Sequence, residues 1–220
     1  MMKAPLRYQI TQYDCGPTST LNALSVLFDR EELQPELLNH VYTLMLDKNH
    51  GAHHRGGTSE AAMSFFAQWL NGCHKSVGWP IEAMHLHGEE VHLSERSVIV
   101  PWVDDGGVAV VSCSFCGTDH YVLLDGFQRD VFGKIDRVSL FDPLYLDEAD
   151  AFSPGGKLYG LKDDISFVRD EPFFCNRSVS VRLMEACEKC PYSLSCNTPR
   201  EATLLRRSDK ERKACDGRRK

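Results

Sequence analysis

An α+β fold is what the order of elements in this chain predicts: helices first, an antiparallel sheet after them, a cysteine-rich segment last. Three observations carry that expectation. Apolar residues recur at helical spacing through about residue 70. Short β-branched or aromatic runs, bounded by Gly and Asp turns, follow in the middle of the chain. Near Pro172 the composition shifts to cysteines and then to charges. Helices followed by strands indicate α+β, with the helices packed on one side of the sheet.

The first helix is expected from about Gly16 to Phe28, with Leu21, Leu24, Val26, Leu27 and Phe28 at helical spacing. Pro17 suits its first turn, where a missing N–H costs nothing. Glu36–Leu46 predicts a second helix, with Leu37, Leu38, Val41, Leu44 and Met45 inward. A His-rich loop over residues 50–57 precedes a third, starting at Thr58-Ser59-Glu60, carrying Met63, Phe65, Phe66, Trp69 and Leu70, and ending near Gly72. Ser97–Val103, Val108–Cys113, Tyr121–Phe127 and Arg137–Asp142 read as strands, and Asp104-Asp105-Gly106-Gly107 as a hairpin turn. These elements divide the chain into a main domain over residues 1–171, a cysteine-rich segment over 172–198 and a basic, flexible tail over 199–220.

The net charge of −6 leaves no global basic field and argues against nucleic acid as a partner. Nine Lys/Arg against four Asp/Glu from Pro199 to Lys220 read as a solvated end. Met1-Met2-Lys3-Ala4-Pro5 lacks an apolar signal region. No run approaches the roughly 18 apolar residues of a membrane span. A cytoplasmic location is expected, in which nine cysteines are not expected to serve as structural disulfides.

The segment Gln9-Ile10-Thr11-Gln12-Tyr13-Asp14-Cys15-Gly16-Pro17 places a thiol at a helix N-terminus. Free backbone N–H groups and the positive dipole end favour the nucleophilic thiolate there. Asp119-His120-Tyr121-Val122-Leu123 and Leu140-Phe141-Asp142-Pro143 follow in the second half. Cysteine, then histidine, then a carboxylate is an order suited to a thiol hydrolase. Read singly, each residue also has a plain explanation. Cys15 serves as a small buried hydrophobe, His120 as a strand residue satisfied by a neighbour, Asp142 as a turn start before Pro143, and Gln9 as a surface amide.

Taken together over about Tyr8 to Tyr145, these words resemble the papain-like cysteine peptidases of the bacteriocin-processing type, which cleave double-glycine leader peptides. The matching residues are Gln9 six positions before Cys15, the Asp14-Cys15-Gly16 step, His120-Tyr121-Val122-Leu123, Asp142-Pro143, and the Gly57-Thr58-Ser59 helix start. The resemblance implies a papain-like fold and a peptide or protein substrate. Cys15 would be the nucleophile, His120 the general base and acid, and Asp142 the group orienting the imidazole. Gln9, with the Cys15 N–H, would stabilise the oxyanion. Those peptidases are commonly fused to exporter membrane domains, and no such span is visible here. Acyl transfer on the same fold, or peptide binding without catalysis, are the alternative functions.

Cys187-x-x-Cys190-x₅-Cys196, with Cys175 upstream, has the spacing of a metal site. It resembles the cysteine sets that hold auxiliary iron–sulfur clusters in some radical enzymes and nucleases. Cys175, Cys187, Cys190 and Cys196 are the expected ligands of a [4Fe–4S] cluster, with zinc as the alternative and Cys215 as the substitute for Cys175. The metal would then fold a segment too small to build a core. Cys113-Ser114-Phe115-Cys116 reads as buried or turn cysteines rather than as a dithiol or a metal site with Cys73 and His74. His85 and His87 share a strand face, and His50, His53, His54 and His92 add to the histidine count without a ligand pattern.

Overall fold

The computed structural model describes residues 2–48, 56–168, 171–194 and 199–208. The helices are α1 (Cys15–Leu27), α2 (Pro35–Met45), α3 (Glu60–Val77), α4 (Ile99–Asp104), α5 (Glu148–Phe152) and α6 (Val181–Met184). The strands are β1 (Ile81–His87), β2 (Val108–Phe115), β3 (Thr118–Arg129), β4 (Ile135–Phe141), β5 (Ile165–Phe167), β6 (Arg177–Ser180) and β7 (Glu201–Arg207). All seven strands form one sheet in the order β1-β7-β2-β3-β4-β6-β5, with every neighbouring pair antiparallel.

The strand that was expected to be a flexible tail is central. β7 lies between β1 and β2, pairing Leu204 with Met84 on one side and with Ala109 on the other. Glu201-Ala202-Thr203-Leu204-Leu205 is buried throughout. The basic count of the last 22 residues concealed this, because Arg206 and Arg207 close the strand on acidic partners, Glu82 and Glu32, at 2.8 Å each. The boundary expected at residue 171 is likewise not a domain boundary, since β6 pairs with β4 and β5 inside the same sheet.

The sheet is covered on both faces, not one. One apolar layer joins α1, α2 and α3 to Val108, Val110, Leu123, Phe141 and Leu205. The other is built from α4, α6 and the Tyr192–Leu194 segment against Val111, Val122, Leu124, Leu140 and Leu204. Alternate strand residues thus face opposite cores, as the pleat requires. Each leucine withdrawn fully from water contributes roughly 1.5–3 kcal/mol.

Two local expectations change. Ser97–Val103 is not a strand: α4 occupies Ile99–Asp104, with the Ser97 hydroxyl accepting the Val100 N–H at 3.2 Å and Pro101 tolerated in the first turn. Asp105-Gly106-Gly107 then stops that helix instead of turning a hairpin. Gly106 takes φ +83°, and a Cβ at Gly107 would collide with Trp102. The hairpin turn is Cys116-Gly117, between the paired residues Phe115 and Thr118, where both central residues have positive φ (49° and 82°). α3 also runs past Gly72 and ends at Gly78, φ +72°.

Candidate active site

Asp14 is the residue that shapes the approach to Cys15. Its buried carboxylate accepts the Ile10 and Thr11 N–H groups at 3.1 and 2.7 Å and the Thr11 hydroxyl at 2.6 Å. That turn fixes where α1 starts, and Cys15 is its first residue, 7% exposed. Gly16 is required next to it, because a Cβ there would overlap the Thr58 side chain.

β3 brings His120 to the same place. The imidazole is 6% exposed; Nε2 lies 2.7 Å from Asp142 Oδ1, and the Cys15 side chain lies near enough to act on the ring's protonation. With Nε2 held by Asp142, Nδ1 is the nitrogen left for the sulfur. Phe115 packs on the ring with centroids 5.3 Å apart. Burial alone would drive the imidazole towards its neutral form. The Asp142 charge and hydrogen bond, joined by Cys15, outweigh it and raise its pKa to about 10.

Asp142 follows directly on β4 and is fully buried. Its Oδ1 also accepts the Leu144 N–H at 2.8 Å, and its Oδ2 accepts the Tyr192 hydroxyl at 2.5 Å. Its backbone is clamped by one side chain: Asn176 Oδ1 accepts the Asp142 N–H at 2.8 Å, and Asn176 Nδ2 donates to the Asp142 carbonyl at 2.9 Å. Burial pushes this carboxyl up, but the His120 charge and hydrogen bond, the Tyr192 hydroxyl and the Leu144 N–H together hold it below its ordinary value.

Cys15, His120 and Asp142 therefore come together at one place, with the imidazole hydrogen-bonded to the carboxylate and the thiol near the ring. No protein-family model matches the chain, and no curated protein matches it.

Gln9 is tied to this group through its backbone, whose N–H donates to the Pro143 carbonyl at 2.8 Å. Its side-chain Nε2 donates to the Thr11 carbonyl at 2.7 Å, which leaves one amide N–H for an oxyanion. Tyr121, next to His120, donates its hydroxyl to Glu201 Oε1. Burial is the first reason the Tyr121 phenol is pushed well up, with the Glu201 charge second and Cys15 also contributing. Glu201 is raised as well, by burial first, and its Oε2 has no hydrogen-bond partner among the described residues.

Tyr192, Asn176 and Glu201 were not anticipated from sequence. All three fall beyond residue 171, in stretches whose cysteines and charges masked their buried neighbours. Tyr192 sits inside the Cys190–Cys196 spacing, where Pro191-Tyr192-Ser193-Leu194 was taken as a metal-site turn. The structure instead stitches this segment to β2, with Tyr192 N–H donating to the Ser114 carbonyl at 2.8 Å and Ser114 N–H to the Ser193 carbonyl at 2.7 Å.

Two of the four expected metal cysteines, Cys175 and Cys190, lie apart. Cys175 packs in the α1 layer, its thiol donating to Asp125 Oδ1 at 2.9 Å, while Cys190 packs against the opposite layer. The sheet stands between them. Cys187 is disulfide-bonded, so its sulfur is not a thiolate ligand. Cys196 and Cys215 lie outside the described residues. Cys175 and Cys190, on opposite sides of the sheet, therefore do not share one four-thiolate site. Among the described residues no group of three or more His, Cys, Asp or Glu is arranged to hold a metal ion. Cys113 is buried and its thiol donates to the His120 carbonyl at 3.3 Å, whereas Cys116 is exposed in the hairpin turn. His85 lies in β1 with Nδ1 2.9 Å from the Thr203 hydroxyl. His92 Nδ1 is 2.9 Å from the Ser94 hydroxyl. His50, His53 and His54 lie outside the described residues. Among the described residues no helix is long and apolar enough to cross a membrane.

Proposed function

We propose that this protein is a papain-like cysteine hydrolase acting on a peptide or other amide bond. The observation that carries the reading is the grouping of Cys15, His120 and Asp142, with one nitrogen of a buried imidazole held by a fully buried carboxylate and Cys15 near the ring. Asp142 fixes the tautomer and stabilises the imidazolium that forms when His120 takes the Cys15 proton. The Cys15 sulfur attacks the scissile carbonyl. His120 gives its proton to the leaving amine, and an acyl-thioester remains on Cys15. Water then attacks that thioester, His120 takes its proton, and the acid product leaves as the thiol re-forms. The Cys15 N–H and the remaining Gln9 amide N–H are the donors proposed for the oxyanion; losing one such donor typically costs about 3–4 kcal/mol of transition-state stabilisation.

Low-dose iodoacetamide near pH 6, read by peptide mass spectrometry, tests the reading. Cys15 should label fastest of the described free cysteines, and His120→Ala should abolish that advantage. A Cys15 that labels no faster than Cys73 would overturn the hydrolase reading and favour peptide binding without catalysis. Hydroxylamine added during turnover should divert the Cys15 acyl-thioester to a hydroxamate, and no hydroxamate would argue against the covalent step.

A further inference from the structure

We propose that a second site, on the far side of the Asp142 scaffold, binds a free aromatic α-amino acid through Arg177. A cavity of about 260 Å³ opens there, walled by Tyr8, Tyr145, Phe167 and Arg177, with Asp147 and Glu148 at its mouth. The inference rests on this cavity alone and does not depend on the hydrolase reading.

Arg177 is the residue that calls for a ligand. It is 3% exposed, yet it makes no ion pair with a carboxylate among the described residues. Its hydrogen bond runs from Nη1 to the carbonyl of the preceding residue, Asn176, at 2.8 Å. Phe167 covers one face of the guanidinium, 3.6 Å from Cζ to the ring centroid. Nε is buried without a partner. A buried cation without a counter-ion is costly and is ordinarily paired. The Nε–Nη2 edge presents two parallel N–H groups, the geometry that takes a carboxylate in a bidentate fork. Among the described residues that edge has no acceptor, on a residue that lines the cavity.

The remaining walls select among carboxylates. Asp147 and Glu148 are exposed at the mouth and disfavour a dianion such as phosphate. The same pair receives an ammonium group, and Asp147 is held in position because its carboxylate caps α5 through the Ala149 and Asp150 N–H groups at 3.0 and 3.1 Å. Tyr8 and Tyr145 meet edge-to-face with centroids 5.3 Å apart, so the lining also holds an aromatic wall beside the charged groups. A carboxylate, an ammonium and a ring on one small frame describe an aromatic α-amino acid. The volume lies below the roughly 300–1,000 Å³ of pockets that take drug-sized ligands, which suits a ligand as small as one amino acid.

Isothermal titration calorimetry of the full chain with L-phenylalanine, phenethylamine and inorganic phosphate tests this. L-phenylalanine should bind saturably and phenethylamine, which lacks the carboxylate, should not. Arg177→Lys, which keeps the charge but loses the fork, should weaken L-phenylalanine about tenfold or more. Should that buried substitution unfold the protein, Tyr145→Ala at the exposed rim should still weaken binding severalfold without changing the melting temperature. Cys15→Ala should bind as the unaltered protein does. No saturable L-phenylalanine binding, equal binding of phenethylamine, or phosphate binding in its place would each overturn the proposal.

Discussion

The two faces of the sheet were built by different means. The α1–α3 face is made of helices whose apolar residues are close in sequence, and Cys15 comes from it. The opposite face is assembled from short helices and from the Tyr192–Leu194 segment, far along the chain, and it supplies the hydroxyl that holds Asp142. The site lies where the two meet, so the placement of Cys15 depends on local structure and that of Asp142 on long-range structure. A chain of this design can keep its Cys15 helix intact and still lose the alignment of its imidazole.

The sharpest break of that comparison is Cys15→Ala. It should abolish turnover of any amide substrate while leaving circular dichroism and melting temperature nearly unchanged, because the site's supports come from elsewhere. Asp142→Asn should come next, lowering kcat by about 10²–10⁴-fold through the wrong imidazole tautomer. If it left kcat intact, the carboxylate would have no orienting role.

Leu204→Ala tests whether β7 is core or tail. Leu204 is fully buried between β1 and β2, so the substitution should cost about 2–5 kcal/mol in chemical denaturation. An unchanged midpoint would return residues 199–208 to the solvated tail that their charge suggested.

Tyr192→Phe removes one hydrogen bond to a fully buried carboxylate and should cost about 1–3 kcal/mol. Its diagnostic is the pH dependence. The Tyr192 hydroxyl helps to hold Asp142 below its ordinary 3.8, so its loss should move the acid limb of both activity and stability to higher pH. Asp142, with its pKa depressed, contributes stability above its unfolded value that is lost as pH falls through the folded one. His120, raised from 6.5 to about 10, contributes stability that is full below 6.5 and lost as pH rises through about 10. The alkaline limb near pH 10 should therefore stay where it is in Tyr192→Phe. A variant with an unmoved acid limb would make Tyr192 a packing residue only.

The smallest effect is expected from Cys190→Ser. Cys190 is half-buried at the edge of its layer, and the substitution should change stability by less than about 1 kcal/mol and leave iron and zinc content unaltered. Stoichiometric metal lost on that substitution would restore a metal-held segment and require the Cys187 disulfide to open.

The helices that carry Cys15 and the strands that carry His120 and Asp142 were legible because their signals are local. Helical spacing after Gly16, the β-branched runs of β2 to β4, and the Asp14-Cys15-Gly16 step each fall within a few residues of one another. The Ser97–Val103 error has the same origin. Its β-branched residues read as a strand, and only the packing of Trp102, whose Nε1 donates to the Leu205 carbonyl at 3.1 Å, makes a helix the better fit.

By itself, then, the sequence determined the mixed helix-and-sheet class, the order of the catalytic candidates and the elements that bear them. Tertiary structure alone decided that β7 enters the middle of the sheet, that Cys175 and Cys190 face opposite layers, and that Asn176 and Tyr192 close on Asp142. The physical reason is that strand order and buried polar contacts join residues separated by 30 to 120 positions, such as Asn176 to Asp142 across 34, Tyr192 to Asp142 across 50 and His85 to Thr203 across 118. No local period encodes such a pairing; it is selected when the whole core excludes water and every buried donor must find an acceptor.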